Sequence, residues 1–395
     1  MGYGFGRADV EFLGDARGRA ALDEASGLEL TPATHLRDLE RARRSYGEFA
    51  PAVIETVRLR RRAAGKLLDA RNWLFTDDAL QQATPTLVAR HRARRLAGRA
   101  VHDVTCSIGA ELAELARVCP SVLGSDLDRV RLAMAAHNLA DESVLLAAAD
   151  ALRPVSVGTT VIADPARRAD GRRTADPARL LPPLPDLLDV YAGRDLAVKC
   201  APGLDFDRLD WAGEIEVVSL DGAVREACLW SPGLAGTGVT RRASVLSTSG
   251  PAVELTDADP DEIPERPPGP WIVDPDGAVV RAGLVRHYAA AHGLWQLDPR
   301  IAYLTGDRVP DGMRGFAVLD RMDLREKSLR RELARRDCGA LEILVRGVDL
   351  DPDALRKRLK PRGTRPYTLV ITRIGRAATV FLCTAVAASE TAARA

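Results

Sequence analysis

Four aspartates, Asp103, Asp126, Asp150 and Asp164, each close a short apolar run, and chemistry could concentrate at that repeated pattern. Carboxyl ends of parallel strands share one edge of a sheet, so the four acids are expected along one crevice. The first run opens onto Thr105, Cys106, Ser107 and Gly109, small residues that let a backbone turn approach a ligand before a helical pattern starts at Ala110. Asp126 follows that loop by about twenty residues, the spacing of a carboxylate that accepts hydrogen bonds from both hydroxyls of a ribose. Asp164 continues into Pro165, Ala166 and Arg167 beside a polar loop rich in arginine and glycine. An exocyclic amine placed there could give its hydrogens to Asp164, while a guanidinium at Arg167 could lie over a base or hold a phosphate.

The elements that must position these acids alternate. Strands are expected at 101–104, 121–126, 144–149 and 161–163, with helices at 110–118 and 129–138, as in the nucleotide-binding half of a doubly wound sheet. Further strands are expected at 195–199, 214–220 and 227–231, with 242–248 pairing near an edge. Residues 16–97 carry helical periodicity interrupted at Pro32, Pro51 and Pro85, and their arginines could line solvated faces or grip phosphates.

The ordered set resembles the class I S-adenosylmethionine-dependent methyltransferases. Asp103-Val-Thr-Cys-Ser-Ile-Gly109 looks like the family's D-x-G-x-G-x-G loop, with Thr105 and Ser107 where glycines are usual. Asp126, with Leu127, resembles its ribose acid, and Asp150, with Ala151, its adenine-contacting acid. Asp164-Pro165-Ala166-Arg167 is similar to its D/N-P-P-aromatic motif, without the aromatic. Phe75 and Thr76 resemble the aromatic and hydroxyl that precede the first strand in many nucleic-acid methyltransferases and close over the methionine end of the cofactor; packing of Trp73 and Phe75 in a core is the alternative.

The fold class implied is α/β, a Rossmann-like seven-stranded methyltransferase core with a helical N-terminal lobe and a small C-terminal α+β domain. The expected divisions are a lobe at 1–97, the core at 98–250, a linker and connecting segment at 251–315, and the α+β domain at 316–395. That last domain resembles the THUMP-like domain accompanying such methyltransferases in one bacterial group. True THUMP domains present RNA to an attached modifying enzyme, and the arginines and lysines of 325–362 would support RNA contact.

The resemblance implies S-adenosyl-L-methionine as cofactor and methylation of a base nitrogen in structured RNA, with Asp164, Pro165 and Arg167 at the reaction centre. Three alternatives stay open: a small-molecule or protein methyltransferase, a carbon-5 pyrimidine RNA methyltransferase using Cys200 as nucleophile beside Lys199, and a cofactor-binding protein without catalysis.

Composition sets bounds on these readings. The 395 residues, 46% apolar, can bury two or three cores, and a net charge of +1 leaves only local patches to carry any contact with nucleic acid. No apolar run of about eighteen residues spans a bilayer, and residues 1–15 carry acids rather than a basic head, so a cytoplasmic protein without membrane association is expected. Six cysteines without C-x-x-C spacing and scattered histidines suggest neither disulfides nor a metal.

Overall fold

In the computed structural model, which describes residues 2–166, 168–169, 172–173 and 176–386, the chain forms two compact units. The first contains Met1–Leu220, Arg225–Gly236 and Thr248–Gly250; the second contains Asp221–Val224, Thr237–Ser247 and Pro251–Ala395. No division falls at 97. The reason is a shared core, in which Val10, Leu13, Val53, Ile54 and Phe75 of the N-terminal region pack with Ile108 and Met134 from the nucleotide-binding half.

The N-terminal helices are α1 (Arg7–Gly14), α2 (Ala16–Ser26), α3 (His35–Tyr46), α4 (Ala50–Ala63), α5 (Asp77–Gln82) and α6 (Thr86–Arg95). Local chemistry starts several of them. Asp15 accepts from the Gly18 N–H at 2.7 Å to cap α2, Pro51 occupies the first turn of α4, and Thr76 accepts from the Ala79 N–H at 3.1 Å to cap α5. Two arginines of α4 that might have held phosphates instead serve carbonyls: Arg60 donates to Trp73 and Asn72, and Arg61 to Glu29, Leu28 and Ser26.

The sheet of this unit comprises β1 (Ala100–Asp103), β2 (Ser121–Asp126), β3 (Val144–Ala148), β4 (Thr160–Ala163), β5 (Leu196–Cys200), β6 (Glu214–Leu220) and β7 (Ala223–Trp230). Their order is β6-β7-β5-β4-β1-β2-β3. Pairings β3–β2, β2–β1, β1–β4 and β4–β5 are parallel, and β7 enters antiparallel beside β5. Helices α7 (Ala110–Leu115), α8 (Arg129–Asn138) and α9 (Leu184–Val190) connect the strands. Strand order reverses between β1 and β4, so the carboxyl ends of these two strands flank the topological switch point where ligands bind.

The second unit contains the antiparallel pair β8 (Arg241–Leu246) and β9 (Val253–Thr256) and a seven-stranded sheet. That sheet is built from β10 (Trp271–Val273), β11 (Trp295–Gln296), β12 (Leu304–Gly306), β13 (Gly315–Asp323), β14 (Cys338–Arg346), β15 (Arg365–Ile374) and β16 (Ala377–Val386). Its order is β11-β12-β10-β13-β16-β15-β14. Residues 271–306 are therefore part of this sheet rather than a connecting segment. Their strands are too short for a clear alternating pattern, and only pairing of Ile272 opposite Phe316 reveals them. Helices α10 (Gly277–Ala282) and α11 (Val285–His292) follow β10. Helices α12 (Glu326–Arg335) and α13 (Pro352–Leu359) bury Leu329, Leu333, Leu355 and Leu359 against Leu369, Ile371, Val380 and Leu382. Their opposite faces remain polar. Among the described residues no helix is long and apolar enough to cross a membrane.

Candidate active site

The loop after β1 is held by its own acids. Asp103 Oδ1 accepts from the Thr105 N–H at 2.9 Å, and the Ser107 N–H donates to Asp126 Oδ2 at 2.9 Å. The Cys106 N–H reaches the Ser125 carbonyl, also at 2.9 Å, which ties the loop to β2. Thr105 Oγ1 in turn accepts from the Asp164 N–H at 2.7 Å, linking the ends of β1 and β4. A hydroxyl at 105 therefore does structural work that a glycine could not.

Backbone conformation separates the two substituted positions: Ser107 has a left-handed φ of 50°, as the retained Gly109 does at 85°, whereas Thr105 is not left-handed. Left-handed backbone costs a non-glycine residue about 1–2 kcal/mol, which the Ser107–Asp126 bond helps to offset. At Gly109 a side chain would be strained by the left-handed backbone, and Leu139 Cδ1, 2.7 Å from where a Cβ would lie, would have to move. Asn138 locks the far side of the turn, donating to the carbonyls of Ile108 at 3.0 Å and Leu74 at 3.1 Å.

A cavity of about 480 Å³ opens over this loop. It is lined by Asp103, Thr105, Ser107, Asp126, Leu127, Asp150, Ala151 and Asp164, so the spacing argument brings all four acids to one place. Burial pushes the Asp103 carboxyl up to about 7, with the charges of Glu111, Asp164 and Asp126 adding to it and the Thr105 N–H opposing it. Asp126 Oδ1 also accepts from the Asp128 N–H at 2.8 Å, and Asp150 from the Leu152 N–H at 2.9 Å, so both carboxylates are oriented before any ligand arrives.

The end of the cavity near β4 and β5 carries charges that no local motif announced. Lys199 Nζ lies 2.6 Å from Asp164 Oδ2, 3.4 Å from the Gln82 carbonyl and 3.9 Å from Glu226 Oε2. Arg92 pairs with Glu226 and, at 3.0 Å, with Glu111, while Thr84 donates to Glu226 at 3.4 Å. Burial raises the Glu111 carboxyl, against the pull of Arg92 and Lys199.

Several expected residues fall elsewhere. Phe75 is fully buried in the core of the helices, and Thr76 serves as a cap; neither lines the cavity. That segment reaches the cavity through Gln82, Ala83 and Thr84 instead. Pro165 is buried behind Asp164, Gly109 lies under the loop, and Arg167 is outside the described residues. Cys200 is buried within β5 opposite Ala227 and is absent from the lining, since the alternation that turns Lys199 toward the cavity turns its neighbour away. The carbon-5 reading needs a thiol that touches a pyrimidine ring, which this placement does not provide. Arg92, Glu111 and Glu226 were missed. Their only signal in the sequence is that charged residues interrupt otherwise apolar element faces.

Glu111 tests whether the cavity suits the expected cofactor. The residue lines the cavity, and its buried Oε1 has no hydrogen-bond partner among the described residues. A buried acceptor without a partner is costly unless a ligand donor meets it, and the ammonium of a methionine moiety is such a donor. With carboxylates for the ribose and adenine at the other end, the residues present fit S-adenosylmethionine.

Comparison with known proteins agrees. Residues 313–385 match the family described as THUMP domain-like, and residues 6–63 a domain of unknown function. The chain is 59% identical over 344 residues to uncharacterized S-adenosylmethionine-dependent methyltransferases of two Mycobacterium tuberculosis strains, covering 84% of this chain and 95% of each relative. A candidate methyltransferase from Porphyromonas gingivalis W83 shares the fold, with a TM-score of 0.71 at 17% identity over 96% of this chain and 98% of that one. The class defined by sheet order and cavity is therefore that of the Rossmann-like methyltransferases. The chain belongs to the S-adenosylmethionine-dependent methyltransferases and carries a THUMP-like domain.

Proposed function

We propose that this methyltransferase modifies structured RNA. The observation that carries the reading is the polar face of α12 and α13 and the turn after them. Lys327, Arg330, Arg331, Lys357, Lys360 and Arg362 are exposed there, and none forms an ion pair among the described residues. Cations left unneutralised on a protein of net charge +1 suit a phosphate backbone, whose contacts need no sequence information.

In the cavity, Asp126 holds the ribose hydroxyls, Asp150 the adenine edge, and Glu111 together with Asp103 the methionine ammonium. S-adenosylmethionine, when bound, supplies a methyl group on a positively charged sulfur that leaves as a neutral thioether. The protein's task is then to align the acceptor, exclude water and take up one proton. Asp164 is the carboxylate positioned to take it. The expected base nitrogen asks more of Asp164, because its Oδ2 is already committed to Lys199.

The test measures binding of structured RNA at several salt concentrations, for the wild type and for Lys327→Glu combined with Arg331→Glu and Lys360→Glu. Affinity should fall at least tenfold, and the salt slope should shrink by about 0.9 for each phosphate that the variant no longer neutralises. An unchanged slope, or methyl label entering only small molecules or protein, would sink the RNA reading.

A further inference from the structure

We infer that the methyl acceptor is a hydroxyl oxygen, in RNA a ribose 2′-hydroxyl, held by Lys199 and deprotonated by Asp164. The ribose rests on the RNA reading above; the oxygen rests on the cavity alone.

Lys199 is buried, and Asp164 is partly exposed at the cavity wall. The ammonium is held by acceptors from two places, Asp164 after β4 and the Gln82 carbonyl at the end of α5, and faces the charge of Glu226 in β7, itself fixed by Arg92 and Thr84. Two of its three N–H groups point at Asp164 and Gln82, and Glu226 at 3.9 Å lies beyond hydrogen-bond reach. One donor therefore remains for an atom in the cavity.

Lone pairs decide which atom that is. A hydroxyl oxygen has two, so one can accept from Lys199 while the other attacks the methyl group. An amino or ring nitrogen has one, and attack consumes it. Charge points the same way: a nitrogen acceptor gains positive charge during transfer, beside an ammonium that opposes it. An oxygen losing its proton gains negative charge, which the same ammonium stabilises.

The step balances without a further reactant. An oxygen lone pair forms the new O–CH3 bond, and the C–S bond breaks with its electron pair passing to sulfur. The hydroxyl proton moves to Asp164, leaving its bonding pair on oxygen, and Asp164 then releases the proton to solvent. Lys199 keeps its protons throughout.

The experiment incubates the full chain with methyl-labelled S-adenosylmethionine and total RNA from cells lacking the gene, then hydrolyses the RNA in alkali. A methylated 2′-oxygen cannot attack the neighbouring phosphate, so the expected label survives in dinucleotides. Label in mononucleotides, with the methyl on a base, overturns the inference and leaves the RNA reading intact. Label in no RNA overturns the RNA reading and, with it, the ribose 2′-hydroxyl as acceptor. Lys199→Met should slow transfer by at least about 100-fold while cofactor affinity, read by calorimetry, changes less than about threefold. Lys199→Arg, which keeps the cation and the fold if Lys199→Met does not, should retain alkali-stable product. Transfer at the wild-type rate by Lys199→Met would remove Lys199 from the reaction.

Discussion

Asp103, Thr105, Ser107 and Asp126, which shape one end of the cavity, come from a single stretch of chain between β1 and the end of β2. Gln82, Arg92, Glu111, Asp164 and Lys199, which line the other, and Glu226, which pairs with Arg92 and Lys199, come from six separate elements or their ends, from α5 to β7. The first end is held by backbone N–H groups donating to carboxylates. The second is held by ion pairs between side chains. In the proposed reading the ribose end of the cofactor site rests on a compact local device and the acceptor region on long-range charge pairing, with Glu111, at the start of the helix that follows the loop, belonging to both.

This contrast can be broken at several points. The largest effect is expected from Arg92→Met, which leaves Glu111 and Glu226 buried beside each other without their cation. Unfolding in urea should show a loss of about 3–5 kcal/mol, as for other broken buried pairs. A loss below about 1 kcal/mol would mean that the charge network does not hold the acceptor end together.

Asp103 gives the next effect, on pH dependence. Its carboxyl titrates near 7 in the folded protein and near 3.9 when unfolded, so the folded state binds the extra proton between those values. Its contribution to stability is full below about pH 4 and is lost as pH rises through 7, with a slope of at most about 1.4 kcal/mol per unit. Asp103→Asn keeps an oxygen for the Thr105 N–H and has no proton to lose. Denaturation across pH 4–8 should therefore be flatter for the variant; parallel curves would refute the shift.

Asp126→Ala should weaken S-adenosylmethionine and S-adenosylhomocysteine binding by about 10- to 100-fold, the worth of charge-assisted hydrogen bonds, and calorimetry reads it directly. Equal affinities would remove Asp126 from the ribose. The smallest change is Ser107→Gly, which relieves the left-handed backbone and should raise stability by about 1 kcal/mol or less in urea unfolding. Destabilisation there would show that the serine side chain contributes more than its backbone costs.

Much of the fold could be read in order along the chain. Short apolar runs ending in acids placed β1 to β4 and the crevice, because a parallel strand buried on both faces needs continuous apolar residues and its carboxyl end faces the ligand. The antiparallel β7 and the short strands of 271–306 were not legible as pairings, since nothing in Trp271 or Ile272 names Ala317 or Phe316 as a neighbour. Phe75 and Thr76 misled for a related reason. An aromatic before a strand can face a ligand or a core, and here the helices supply a core that buries it completely.

The order of residues was enough to specify the acids, their spacing and the loop between them, because those residues lie close together along the chain and their geometry follows from strand and turn. It took the folded chain to show that Lys199 meets Asp164, that Arg92 secures Glu226 and Glu111, and that Cys200 turns away from the cavity. Those relations depend on strand order and on which face of β5 each side chain occupies, and a charged residue read singly carries no record of its distant partner.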